Sequence, residues 1–289
     1  MCLLLKGKLN GGIKMKNFEE KILKRWLKRK VKITLATIVA FLIGSSLSLA
    51  ETLYIKNGEN GVEFSIDNQN WGENPYSENS FENNIYTNNR KIESDYIGIY
   101  NKASNISLIN ENKISVDGEE VYGIYNNGAI EVLKNNGLIE VNGVSFTTGI
   151  LNLDGKIEEA LNQGTIKLTS STSEAYGIDN QNPQGIIDNL TNQGIIDVTG
   201  NLKAYGIQNN GGGTINDLLN QGIIKVESLS DSNSASAKGI ANGSNLIENI
   251  SNEGIIEVAG VKSAIGIDFS AKKETKNKGV IKVDRKSVV

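Results

Sequence analysis

Between about Tyr96 and Val283 the apolar positions follow a pattern that recurs seven times. Each repeat opens on Gly-Ile, at Gly98, Gly123, Gly149, Gly177, Gly206, Gly239 and Gly266. Each closes on Asn-x-Gly-x-Ile-x-Val or a near variant, beginning at Asn110, Asn135, Asn162, Asn192, Asn220, Asn252 and Asn277. Successive Gly-Ile phrases lie 25–33 residues apart and successive closing Asn 25–32. Self-similarity at this period predicts a solenoid, in which a repeat buries its apolar face only by stacking on its neighbours.

The period inside a repeat selects the kind of solenoid. Ile256 and Val258 are apolar, Glu257 between them is charged, and the same alternation holds at Ile139/Val141, Ile166/Leu168, Ile196/Val198, Ile224/Val226 and Ile281/Val283. Alternation over a short β-branched run bounded by Asn and Gly predicts a half-buried strand. The Leu-x-x-Leu-x-Leu spacing of a leucine-rich repeat is missing. The expected fold is therefore all-β, a parallel β-helix of about seven rungs, roughly 34 Å long at the spacing of adjacent strands. A third strand per rung is expected between the two phrases. Ile130, Ile157, Ile187, Ile215 and Ile247 stand five residues before a closing Asn, and Leu133, Ala160, Leu190, Leu218 and Ile250 stand two before it.

In-register stacking makes two further columns. The residues between the inward pair are Ser115, Glu140, Lys167, Asp197, Lys225, Glu257 and Lys282, whose sign alternates from Glu140 onward. Exposed pairs contribute only a few tenths of a kcal/mol each; such a column acts by disfavouring a register slip that juxtaposes like charges. The closing Asn residues, with Asn101, Asn126, Asn152, Asn180, Asn209 and Asn242, stand at phrase ends, where Asn tolerates left-handed backbone. Stacked, they would form an amide ladder; a row of sugar-binding amides is the competing use of the same residues.

The remaining segments read differently. Residues 1–14 carry the only cysteine, Cys2, and are expected to reflect a miscalled upstream start, with the natural one at Met15. From Met15 a basic run leads into 18 uncharged residues, Ile33 to Ala50, ending Ser48-Leu49-Ala50. A charged n-region, an apolar h-region and a small-x-small exit describe a secretory signal helix, cleaved between Ala50 and Glu51. A segment of this length also just spans a bilayer, which leaves an uncleaved anchor as the alternative. Residues 51–95 carry no clear repeat and are expected to form a cap or an irregular first rung, since an open solenoid end invites aggregation. A binding site around Trp71, Tyr76 and Tyr86 is the alternative there.

Charge and composition then narrow the chemistry. The leader holds 11 of the 30 basic and 2 of the 33 acidic residues, so the remainder has 19 basic and 31 acidic, net −12. That balance argues against nucleic-acid and anionic-membrane partners. The portion expected to be exported contains no cysteine, although its compartment permits disulfides. With no histidine in the chain there is no Ser-His-Asp or Cys-His triad and no His metal site. The outward acids alternate with lysines instead of converging as a glycosidase pair must. No catalytic residue, cofactor or metal site is assigned, and the chain is not expected to be an enzyme. The Ser-rich insertion Glu227 to Ala237 reads as a solvent loop.

The leader from Glu19 to Thr34 (EEKILKRWLKRKVKIT) resembles the extended signal region of Gram-negative autotransporters, the type V secreted proteins. The repeats, as in Ala204-Tyr205-Gly206-Ile207 through Asn220-Gln221-Gly222-Ile223-Ile224-Lys225-Val226, are similar to their passenger domains. The resemblance implies a right-handed helix and export by the secretion machinery acting on the signal peptide. It implies display at the cell surface through a C-terminal β-barrel, and commonly an adhesin function toward a host or cell-surface ligand. The passenger itself would make no membrane contact. The chain departs from the family in showing no barrel. Its last six residues, Asp284 to Val289, resemble a translated sequencing adapter, so a cut-off reading frame is expected.

Overall fold

A computed structural model describes residues 51–243, 246–268 and 271–285. The upstream start, the signal helix and Ala50 lie outside the described residues, as do the last four residues.

Every regular element among the described residues is a strand, and the strands form three sheets of nine, nine and eight. The chain visits the sheets in strict rotation. In one coil, Glu174–Asn180 lies in the first sheet, Ile186–Asn192 in the second and Ile195–Gly200 in the third. The next coil repeats this with Lys203–Asn209, Thr214–Asn220 and Ile223–Ser228, each pairing in parallel with its counterpart before it. Seven such coils run from Ile97–Asn101 to Val280–Arg285, a parallel β-solenoid. The final strand runs two residues past Val283, with Asp284 and Arg285 opposite Ala259 and Gly260.

The segment 51–95 forms one more turn. Leu53–Gly58 and Ile85–Asn88 pair in parallel with Ile97–Asn101 and Ser104–Asn110, and Ile92–Ser94 pairs with Lys113–Gly118. Two antiparallel strands complete it: Gly61–Ser65 on the outer edge of the first sheet and Ser80–Glu82 on that of the second. The turn therefore occupies the strand edges that the first regular coil would otherwise leave open at this end.

The inward pairs of the closing phrase are buried from Ile114/Val116 to Ile256/Val258, as are the expected pairs of the middle strand; in the last coil Ile281 is half-buried and Val283 is 50% exposed. The latter are three residues apart, which strict alternation forbids. Both intervening residues point away from the core, and the ladder skips one of them at each rung, as between Ile157↔Ile187 and Glu159↔Asn189.

Glycine sets how closely the sheets approach. A Cβ on Gly206 would lie 2.3 Å from Ile224 Cγ2 and 2.6 Å from the carbonyl oxygen of Gly239. The Gly of each Gly-Ile phrase thus receives the Ile of the closing phrase, and the two motifs recur together because they interlock. The closing glycine meets a different limit: a Cβ on Gly194 would lie 2.0 Å from the carbonyl oxygen of Gly164 one rung earlier.

The phrase-end asparagines act otherwise than expected from turn chemistry. Among the described residues, none of them has a positive φ. They end their strands in ordinary backbone and turn their amides inward. The column ending the second sheet comprises Asn88, Asn110, Asn135, Asn162, Asn192, Asn220, Asn252 and Asn277. Each donates from Nδ2 to Oδ1 of the next, up to Asn277, at 2.7–2.8 Å. A second column ends the first sheet and runs from Asn101 to Asn209 at the same distances. Donation always points toward the C-terminal end, so Asn88 Oδ1, at the start, has no donor.

Candidate ligand-binding face

The site residues expected from sequence are dispersed. Glu51, the residue after the expected cleavage point, donates its N–H to the Glu93 carbonyl (2.8 Å), and its carboxylate accepts from the Tyr76 hydroxyl (3.0 Å). Trp71, Tyr76 and Tyr86 do not converge. Tyr86 is fully buried against Phe64, and burial pushes its hydroxyl well above the ordinary value. Tyr76 is buried beneath the Arg90 guanidinium, 4.0 Å from its ring centre, while Trp71 stacks on Lys56. A cleft of ≈ 390 Å³ is lined by Phe64, Asn74, Tyr76 and Phe81, so of the three expected rings it takes in Tyr76 but neither Trp71 nor Tyr86. The ladder asparagines from Asn88 to Asn252 are at most 2% exposed, so their amides are not a sugar-binding row. Among the described residues no three His, Cys, Asp or Glu side chains form a metal-sized group.

The third-sheet column is in register throughout: Ser115, Glu140, Lys167, Asp197, Lys225, Glu257 and Lys282 face one another from rung to rung. Contacts form in pairs, Lys167–Glu140 at 3.6 Å, Lys225–Asp197 at 3.9 Å and Lys282–Glu257 at 2.7 Å. Glu140 is also held by Lys113, and that hydrogen bond lowers its carboxyl pKa. These are solvated structural pairs. The Ser-rich insertion is shorter than expected, because strands extend through Ser228 and resume at Ser236.

The outer face of the first sheet is the part of the surface that concentrates unusual side chains. Two outward positions per rung line it, one just before the Gly-Ile phrase and one just after. The position after reads Tyr100, Tyr125, Leu151, Asp179, Gln208 and Ala241 along the stack. The position before reads Tyr122, Thr148, Tyr176, Tyr205 and Lys238. Tyr100 and Tyr125 meet edge to face at 4.9 Å between ring centres, Tyr122 joins them at 5.5 Å, and Tyr176 and Tyr205 meet at 5.5 Å. Mutual burial raises the hydroxyl of Tyr125 to about 12.

At the second aromatic group the chemistry changes. Tyr176 donates its hydroxyl to the Glu174 carboxylate, which also pairs with Lys203 at 2.6 Å. Beside them Asp179 is wholly buried although it stands on the outward side of its strand. Its Oδ2 accepts from the Gln181 amide, while Oδ1 has no donor. One rung on, Gln208 is 7% exposed and its Oε1 likewise has no donor. Desolvation pushes the Asp179 carboxyl up to about 7, the Gln181 hydrogen bond opposing it and the nearby Glu174 charge adding to it. Buried acceptors without donors are rare and costly, so two in adjacent rungs mark this stretch as chemically unfinished.

Sequence reading missed these residues, although a signal was present. The Gly-Ile phrase is constant from rung to rung, while the position following it changes from aromatic to acid to amide. No known protein family matches the chain, and neither a curated protein nor a solved structure resembles it at a significant level.

Proposed function

We propose that the chain is the surface-displayed passenger region of an autotransporter, a rigid scaffold for adhesion. The observation that supports it is a regular solenoid whose first-sheet outer face groups tyrosines in adjacent rungs beside polar side-chain oxygens without donors. In a solenoid the constant columns hold the stack together, and the variable face is free to take on recognition. Tyrosine suits that role, giving large, amphipathic contact area at low conformational cost. The basic, apolar and small-residue succession before Glu51 supports export. The secretion machinery is then the partner of the leader, and a cell-surface molecule that of the passenger.

The test is to produce the chain joined at its C-terminus to an outer-membrane β-barrel in a Gram-negative host and to shave intact cells with protease. Display predicts a shaved product whose N-terminus is Glu51. A product that retains the segment from Met15 to Glu51, and is reached only after the outer membrane is opened, would instead support an inner-membrane-anchored periplasmic solenoid. A secreted enzyme with its chemistry outside the solenoid would show itself as activity retained by a variant stripped of the first-sheet tyrosines.

A further inference from the structure

We propose that the outer face of the first sheet binds a neutral, extended polysaccharide lying along the solenoid axis. Tyr100 with Tyr125, and Tyr205 beside the buried Tyr176, serve as two aromatic contact pads, and Asp179 and Gln208 accept hydrogen bonds from sugar hydroxyls. The inference deepens the adhesion reading and relies on it only for the ligand's access to the chain.

The pads are separated by the rung of Leu151, so the strip from the Tyr100 rung to the Tyr205 rung covers four steps. At about 4.8 Å per step it is roughly 19 Å long. The rise of one sugar in an extended hexose chain is close to one strand spacing, so each rung meets about one sugar. The pyranose C–H faces are apolar and rest on aromatic rings, as ligand sites commonly combine aromatic walls with a few placed polar groups.

The unpaired acceptors select the ligand class. Once Asp179 is ionised, above about pH 7, its Oδ1 and Gln208 Oε1 stand in adjacent rungs as buried acceptors without donors, so the calorimetric titration is run at about pH 8. A ligand that completes them must bring donors, and one that reaches both must bring them at rung spacing. Sugar hydroxyls do so without bringing charge. The Gln181 amide already holds Asp179 Oδ2, so Oδ1 is the oxygen left for an arriving hydroxyl. A site of this kind rejects analogues lacking the hydroxyl strongly, because its buried acceptors are left unpaired again.

Charge excludes the polyanionic glycans. The portion from Glu51 onward is net −12 and Asp179 itself is a carboxyl group, while the cations along this face are engaged: Lys203 by Glu174, Lys238 by Asp268 and the Tyr205 ring, and Lys102 by the Tyr100 ring. A peptide strand is disfavoured because the sheet's backbone groups are consumed in the ladders, which leaves no edge on this face for strand addition.

The experiment uses the whole chain from Glu51 onward and calorimetric titration with a panel of neutral linear hexasaccharides of glucose, mannose, galactose and N-acetylglucosamine. A heparin hexasaccharide is the anionic control. Saturable binding of at least one neutral probe and none of heparin is expected. Tyr205→Ala and Gln208→Leu should each weaken it about tenfold or more, the loss of one aromatic or buried polar anchor. Lys225→Ala, on the third sheet, should leave it unchanged. Absence of saturable binding across the neutral panel overturns the proposal, as does binding that Tyr205→Ala and Gln208→Leu leave intact. Cell adhesion measured in parallel separates the two readings. Adhesion not competed by any neutral probe keeps the scaffold and removes the glycan, and a partner protein would then be the ligand. Glycan binding by a chain that never reaches the surface does the reverse.

Discussion

The amide column ending the second sheet and the charge column on the third sheet are built alike, one residue per coil in register, yet they behave differently. The amides are joined without a break from Asn88 to Asn277 and buried as far as Asn252. The charges are solvated and joined only in twos, with no ion pair between Lys167 and Asp197 or between Lys225 and Glu257 among the described residues. An amide both donates and accepts, so each member of a stack satisfies the next. A carboxylate only accepts and an ammonium only donates, so a lysine that leans toward one neighbour leaves the other. Burial then multiplies the contrast, because a buried polar group must be paired while an exposed one has water.

Breaking the amide column should therefore cost most. Asn162→Leu takes the acceptor from Asn135 Nδ2 and the donor from Asn192 Oδ1, both inside the stack. Two buried groups left wanting cost about 2–6 kcal/mol together. Urea denaturation should show it as a large fall in midpoint, and because contacts in a solenoid are between neighbours, as a split of the transition into two parts. A midpoint within error of the parent would mean that the column contributes little.

A smaller effect is expected from Asp179. Its folded pKa, about 7, stands above the ordinary value of 3.8, so between these limits the native state holds a proton that the unfolded chain has released. Stability should fall as pH rises through that window, by at most about 1.4 kcal/mol per pH unit from this group, and fall no further above it. Comparison of urea midpoints at about pH 5 and about pH 8 for the parent and Asp179→Asn isolates the contribution. The substitution should remove that part of the slope, and an unchanged slope would place the titration elsewhere.

The smallest effect belongs to the charge column. Lys225→Glu sets three like charges in successive rungs, the introduced carboxylate lying between Asp197 and Glu257, yet the position is solvated. A loss below about 1 kcal/mol, shrinking further in high salt, is expected from denaturation with and without added salt. A larger, salt-independent loss would show that Lys225 packs its stem against the sheet.

The period, the three inward strand patterns, the register of the charge column and the stacking of the asparagines were all legible in the residues alone, because each repeats at every coil and repetition is visible without coordinates. Other features wait on the folded coil. The glycine of Gly-Ile and the isoleucine of the closing phrase lie some 18 residues apart in the chain, as Gly206 and Ile224 do, and only closure of the coil brings them within reach. The asparagines looked like turn formers, and the fold instead gives them strand backbone with the amides directed inward. The segment 51–95, silent as a repeat, makes strand pairs because it is templated by the first regular coil. The first-sheet face needed the fold most of all. Tyr100, Tyr125, Asp179 and Gln208 share no motif, and they become neighbours because parallel stacking sets residues 25–29 positions apart side by side on one surface.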